Sequence, residues 1–320
     1  MSSSSAVLIN SRKKGIILVL IGAILWGVSG TVAQFLFQHQ GFSPEWLVVI
    51  RLLISGTLLL GIAYKREKHR IWGIWRVKHD AFSIILFGIL GMLAVQYTFF
   101  AAIHHGNAAT ATVLQYLAPV LIMCYSAFRA KRMPTLIEGI ALIFAISGTF
   151  LLVTRGSLHT LSISGLALFW GLTSAVALAY YTLQPLKLLA NWGSTIVVGW
   201  GMLIGGIFFS FIHPPWDFVG EWTLPSVFAV IFIVAFGTII AFYCYLESLK
   251  YISASDTSLL ACAEPLTAAF LAIVWLHVTF GFAEWLGTIC ILSTIALLSV
   301  KKEKSTLMVS EKVEYKVNQS

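Results

Sequence analysis

A carboxylate stands where an apolar chain has least use for one. Glu264 lies about ten residues from either end of the stretch Ala254 to Val274, and Pro265 follows it directly. In hydrocarbon such a group costs on the order of several kcal/mol unless it is paired, hydrated or protonated. It reads either as a proton-exchanging or cation-binding group facing a cavity, or as a structural acceptor locked against a neighbouring helix. Pro119 and Pro265 each remove a backbone donor and push aside the carbonyl four residues earlier, that of Gln115 or Ala261. Those carbonyls meet substrate or water if the helix is broken beside a cavity, or a neighbouring hydroxyl if the proline only makes a packing kink.

Trp26 and Trp170 sit in mid-segment, away from the interface where tryptophan usually anchors. Their rings suit a cavity wall or a platform for a cationic amine, and equally a space-filling role beside Gly27 and Gly171. Ser29, Gln96, Tyr97, Gln115, Tyr116, Tyr180, Tyr181, Tyr243 and Tyr245 bring polar tips into apolar surroundings, where they orient a substrate or bond between helices. Arg51, inside the second apolar segment, has three outlets: snorkelling to the interface, a carboxylate partner, or an anionic substrate. Snorkelling is expected. His104 and His105 are adjacent, and neighbouring helical residues point about 100° apart, so a solvated turn is expected rather than a metal site. No Walker-type glycine loop and no nucleophile with a partnered base is present, so neither an enzyme nor a bound cofactor is expected.

The elements that must position these groups are apolar helices. Hydrophobic residues make up 58% of the chain and charged residues 11%, and mean hydropathy is +0.89. Soluble domains run near about 25% charged, so a soluble fold is excluded. Breaking the sequence at charges, prolines and polar clusters gives ten segments: Gly15 to Phe37, Pro44 to Tyr64, Ala81 to Ile103, Ala108 to Phe128, Leu136 to Val153, Ile163 to Leu186, Ser194 to Ile212, Pro225 to Leu249, Ala254 to Val274 and Phe280 to Val300. Each has about the length a bilayer requires. Of the 21 basic residues, Arg155 alone falls in the loops of one side and Arg51 within a segment, which leaves 19 for the other side. The positive-inside rule then places both termini in the cytoplasm. The four cysteines fall inside apolar segments as buried thiols, and the net charge of +8 is a topology signal, so no nucleic-acid partner is expected.

The halves of the chain resemble one another. Ala23-Ile24-Leu25-Trp26-Gly27-Val28-Ser29 matches Ala167-Leu168-Phe169-Trp170-Gly171-Leu172-Thr173. Tyr97 to Pro119 aligns without gaps on Tyr243 to Pro265, pairing Thr112 with Ser258 and Ala118 with Glu264; Glu138-Gly139 then aligns with Leu286-Gly287 after a small length change. Five segments per copy force the second copy to enter from the opposite face. The expected fold class is therefore an all-α membrane protein of ten transmembrane helices, arranged as two inverted five-helix repeats (5+5). Residues 1–14 are the cytoplasmic N-terminus, 15–153 and 163–300 the two repeats, and 301–320 a disordered cytoplasmic tail.

The paired Trp-Gly elements, the short third-to-fourth connections, and the prolines after Leu117-Ala118 and Ala263-Glu264 resemble the EamA-type family of the drug/metabolite transporter superfamily, over roughly residues 15 to 300. The resemblance implies a central cavity lined mainly by spans 1, 3, 4, 6, 8 and 9, and export of amino acids, amines or related metabolites. The acidic residue of the second copy is present as Glu264, but the first copy has Ala118 there. The expected function is secondary transport by alternating access in the cell membrane, with a small molecule as cargo, a proton as candidate coupling ion, lipid as solvent and a homodimer as candidate assembly. Efflux of hydrophobic cations is the alternative within transport; a non-transporting receptor or structural bundle is the alternative outside it.

Overall fold

The structure is a computed structural model that describes residues 2–129, 131–133, 135–155, 163–248, 251–252, 257, 260–261, 263–294 and 296–297. The expected tail at 301–320 and the Ser258 match lie outside the described residues. Among the described residues there is no strand. The helices are α1 (Ser2–His39), α2 (Pro44–Glu67), α3 (Arg70–Arg76), α4 (Lys78–His105), α5 (Ala108–Arg129), α6 (Leu136–Thr154), α7 (Gly165–Leu183), α8 (Leu186–Trp192), α9 (Ser194–Ser210), α10 (Leu224–Tyr245), α11 (Ala263–Val274) and α12 (Phe282–Thr294).

Local chemistry sets the boundaries. Ser43 is extended and accepts from the Trp46 amide at 3.2 Å, with Pro44 opening α2. Asn107 starts α5 by accepting from the Thr110 amide at 2.8 Å. Thr223 and Ser226 cap α10 reciprocally. Among the described residues, six helices are long and apolar enough to cross a bilayer: Arg12–His39 within α1, and α2, α4, α5, α7 and α10. Four shorter apolar ones, Leu136–Leu152 in α6, α9, α11 and α12, fall on the remaining segments. Helix α1 starts at Ser2, so the basic cluster Arg12, Lys13 and Lys14 rides on it rather than preceding it. The short α3 and α8 were not foreseen. Buried Ile71 and Ile74 dock α3, and the Trp200 indole of α9 donates to the Ile71 carbonyl at 2.9 Å.

Helices of the first half lie on those of the second. α2 packs on α9, α1 on α10 and α11, and α4 and α5 on α7. With Trp26 matched to Trp170, the contacts of α1 with α10 and of α7 with α4 are one pairing made twice. Two features sharpen this. α4 carries a π-helical segment at Phe87–Leu93 and α10 one at Ala235–Ile240. The register that pairs Tyr97 with Tyr243 carries 87–93 onto 233–239 and Gly91 onto Gly237, so the two widened turns nearly coincide. Widened turns inside helices are frequent at functional sites.

The same gapless register carries Glu138 onto Glu284, which corrects the expected match of Glu138-Gly139 with Leu286-Gly287. Glu138 accepts from the Thr135 amide at 2.7 Å, and both Arg132 Nη atoms donate to it at 2.7 and 2.8 Å. Glu284 accepts from the Gly281 amide at 2.6 Å and pairs with Arg155 Nη2 at 3.0 Å. Each buried carboxylate thus closes the first turn of a helix and holds one arginine. Glu284→Ala is expected to cost about 1–2 kcal/mol through the lost cap, and Glu138→Ala a similar amount. Thermal unfolding of the purified variants measures both, and a fall for one alone would show that the motifs are not equivalent.

Candidate functional site

The interior at mid-bundle is built by interrupted helices. α5 is α-helical over Ala108–Gln115 and again over Ala118–Arg129, with a tight turn at Tyr116 and Leu117 between. Pro119 therefore stands in the first turn of a restarted helix, where an N–H has no place in the helical ladder in any case, rather than in a kinked interior. Pro265 takes the same place near the start of α11. The break before α11 frees the Ala261 carbonyl, which accepts from the Glu264 amide at 2.9 Å and from the Tyr116 hydroxyl at 2.5 Å.

Tyr116 also reaches Glu264. Its hydroxyl oxygen lies 3.1 Å from Glu264 Oε2, and Glu264 is 6% exposed. The phenol has one hydrogen, and both of these acceptors are within its reach. While that hydrogen serves the Ala261 carbonyl, the contact with Glu264 is a hydrogen bond only if the carboxyl carries its own proton and donates. An ionised Glu264 would compete with the Ala261 carbonyl for that hydrogen. Gly27 of α1 presses against this point, since a Cβ on it would stand 2.6 Å from the Glu264 carbonyl. Its counterpart Gly171 presses on Leu114 of α5 in the same manner.

The other sequence candidates divide. Trp26 packs against Phe242 and Tyr245 of α10, both at 4.9 Å between centroids. Trp170 meets Tyr97 at 5.3 Å, and the Tyr97 hydroxyl donates to Glu45 Oε1 at 3.1 Å. The Ser29 side chain fills the place a Cβ on Gly237 would take, within the widened turn of α10. Gln115 Nε2 donates to Ser174 Oγ at 2.6 Å, and Gln96 Nε2 donates to Met92 Sδ at 3.1 Å. Tyr243 is 41% exposed. It borders a niche of about 10 Å³ with Leu59, Ser194, Thr195, Val198 and Phe242, room for about one water.

Two groups stand differently from what the sequence implies. Arg51 does not snorkel: it is 4% exposed, its Nε donates to Thr238 Oγ1 at 3.1 Å, and its guanidinium carbon lies 4.5 Å from the Phe100 ring centroid. A buried hydroxyl on a neighbouring helix, invisible to a linear reading, overrides the pull of the interface. Tyr116 was one polar tip among many in the sequence. Its place immediately after Gln115, the residue whose carbonyl Pro119 frees, was the available signal. Five buried side-chain atoms among the described residues lack a hydrogen-bond partner: Trp26 Nε1, Ser55 Oγ, Gln96 Oε1, Tyr181 Oη and Gln184 Oε1. Most buried polar atoms are bonded, so such a set needs a reason.

These features define an all-helical membrane protein with a polar, interrupted centre. The chain belongs to the EamA-like transporter family, which it matches twice, over residues 13–154 and 165–300. It is similar to the uncharacterized inner membrane transporter YicL of Salmonella typhimurium, with 39% identity over 92% of this chain and 98% of that protein. The uncharacterized transporter YwfM of Bacillus subtilis is 25% identical over 89% of this chain and 94% of its own length. A solved crystal structure superposes with a TM-score of 0.61 at 17% identity, covering 92% of this chain and 99% of that one, a likeness of fold. The family and these relatives are transporters, not enzymes.

Proposed function

We propose that the protein is a secondary transporter that exports a small metabolite by alternating access. In this reading the chain crosses the cell membrane ten times as two inverted five-helix halves, with both termini in the cytoplasm. The observation that carries it is the meeting of the two interrupted helices: Tyr116, at the break of α5, serves both the carbonyl freed at the break before α11 and the buried Glu264. One broken helix comes from each of the two family matches. Interrupted helices at the junction of repeats are where transporters place their binding sites.

Glu264 is the proposed coupling group, exchanging its proton as the breaks rearrange. Ser29, Gln96, Gln115, Trp26, Trp170 and Tyr97 line the path on this reading, with Tyr243 at its margin. Comparing metabolites in the medium of cells with and without the protein tests the reading. Compounds whose release depends on the protein are expected; a medium unchanged under every growth condition would remove the exporter reading.

A further inference from the structure

Among the described residues, no carboxylate pairs with Arg51. Glu45, the nearest acid along α2, instead accepts from the Tyr97 hydroxyl. Thr238 holds only Nε, and it spends its own hydroxyl hydrogen on the Ile233 carbonyl at 2.8 Å. The Phe100 ring covers one face of the guanidinium. Four of its five N–H donors, those on the two Nη atoms, thus have no protein partner, and neither Nη atom is among the fully enclosed unpartnered atoms, so the small exposed remainder of this residue leaves them within reach of a ligand. A buried cation left in that condition is strongly unfavourable, and an incoming anion relieves it.

Further unpartnered polar groups stand nearby. Arg51, Ser55 and Leu59 form one stripe of α2 at helical spacing. Arg51 bonds Thr238 and Leu59 borders the same niche as Phe242, so the stripe faces α10 along 238–242, with Ser55 between. Ser55 is fully buried and its hydroxyl has no partner. Around Phe242 stand two more unpartnered groups, the Trp26 indole at 4.9 Å and the Tyr181 phenol at 6.2 Å between ring centroids. Gln96, one turn before Phe100 on α4, adds a free carboxamide oxygen. Donors predominate among these groups.

We propose that Arg51 recognises an anionic group, a carboxylate or chemically similar oxyanion, on the molecule the protein carries. This rests on the transport reading and names its substrate class: organic anions, including zwitterions. A guanidinium offers paired parallel donors to such a group, and Ser55 adds a hydroxyl donor one turn away. Thr238 fixes the fork through Nε and so leaves the Nη edge for the ligand. Its own position depends on the widened turn of α10, in which its hydroxyl reaches back to Ile233.

The test compares the medium of cells carrying no transporter, the wild type, Arg51→Gln and Arg51→Lys, with membrane-inserted protein quantified in each. Compounds released only with the wild type are expected to bear an anionic group, and Arg51→Gln is expected to lower their release about tenfold or more at equal protein. Arg51→Lys keeps the charge but not the fork, so anion release should persist at about tenfold weaker apparent affinity, read from the cytosolic concentration at half-maximal release. Release of uncharged or purely cationic compounds overturns the proposal, as does undiminished release by Arg51→Gln. If Arg51→Gln fails to insert, unaltered apparent affinity in Arg51→Lys overturns it. Absence of any transporter-dependent compound is a separate result, which removes the transport reading and this inference with it.

Discussion

Gly27→Ala is expected to lower the unfolding midpoint of the purified protein on the order of 5 °C and to cut the yield of monodisperse material, whereas Gly61→Ala leaves both unchanged. The added methyl at position 27 would stand 2.6 Å from the Glu264 carbonyl and 2.8 Å from Thr267 Cβ, while at position 61 it meets nothing within 4 Å. Backbone lies on both sides of the contact, so no flexible side chain can give way. Either α1 retreats from α11, or the break before α11 moves. Overpacking of this kind costs about 1–3 kcal/mol, occasionally more, which sets the size of the shift for a chain of this length. A neutral Gly27→Ala would mean that α1 and α11 are farther apart than the structure has them.

This contact shows what the sequence could and could not reveal. The Trp26-Gly27 and Trp170-Gly171 pairs were legible as a repeat, and glycine beside tryptophan was legible as a close approach. That the approached surface is the Glu264 carbonyl in one half and Leu114 in the other depends on contacts between segments far apart in the chain. The apolar segments were legible because charges and prolines punctuate them. The widened turns at Phe87–Leu93 and Ala235–Ile240 were not, since an added residue per turn leaves an apolar run apolar.

Register slipped where side-chain chemistry changed less than the alignment supposed. Matching Gly139 with Gly287 hid the equivalence of Glu138 and Glu284, which a gapless extension would have found. The interior place of Arg51 is not legible along the chain, because interface and interior differ only by what neighbouring helices offer. The partner, Thr238, lies in a segment whose sequence carries no mark of it. Prolines were read for the donor they remove, yet both stand in first turns, where the interruption precedes them.

Glu264→Gln is expected to preserve insertion and folding while removing the pH dependence of release. The amide keeps an oxygen for the Tyr116 hydroxyl and nearly the same volume, so the buried contact at 3.1 Å survives. What it loses is the exchangeable proton. If that proton decides whether Tyr116 serves the Ala261 carbonyl or the carboxylate, the wild type should release its compounds at a rate that varies with external pH, and Glu264→Gln at a flat, lower rate. Hydrogen bonds to charged groups contribute about 1.5–3 kcal/mol, which corresponds to about tenfold to a hundredfold in rate.

Tyr116→Phe separates the two parts of the device. It keeps the titrating carboxyl but cuts its link to the helix break, so the rate should fall while the pH dependence remains. The Ala261 carbonyl still accepts from the Glu264 amide at 2.9 Å, which limits the structural cost of that variant. Loss of folded protein in Glu264→Gln would assign Glu264 to structure, as an acceptor that holds α5 to α11. An unchanged pH profile with normal folding would place the coupling proton elsewhere. The Tyr116 contact then holds the break together without sensing charge, and the rearrangement of α11 must be driven by the cargo alone.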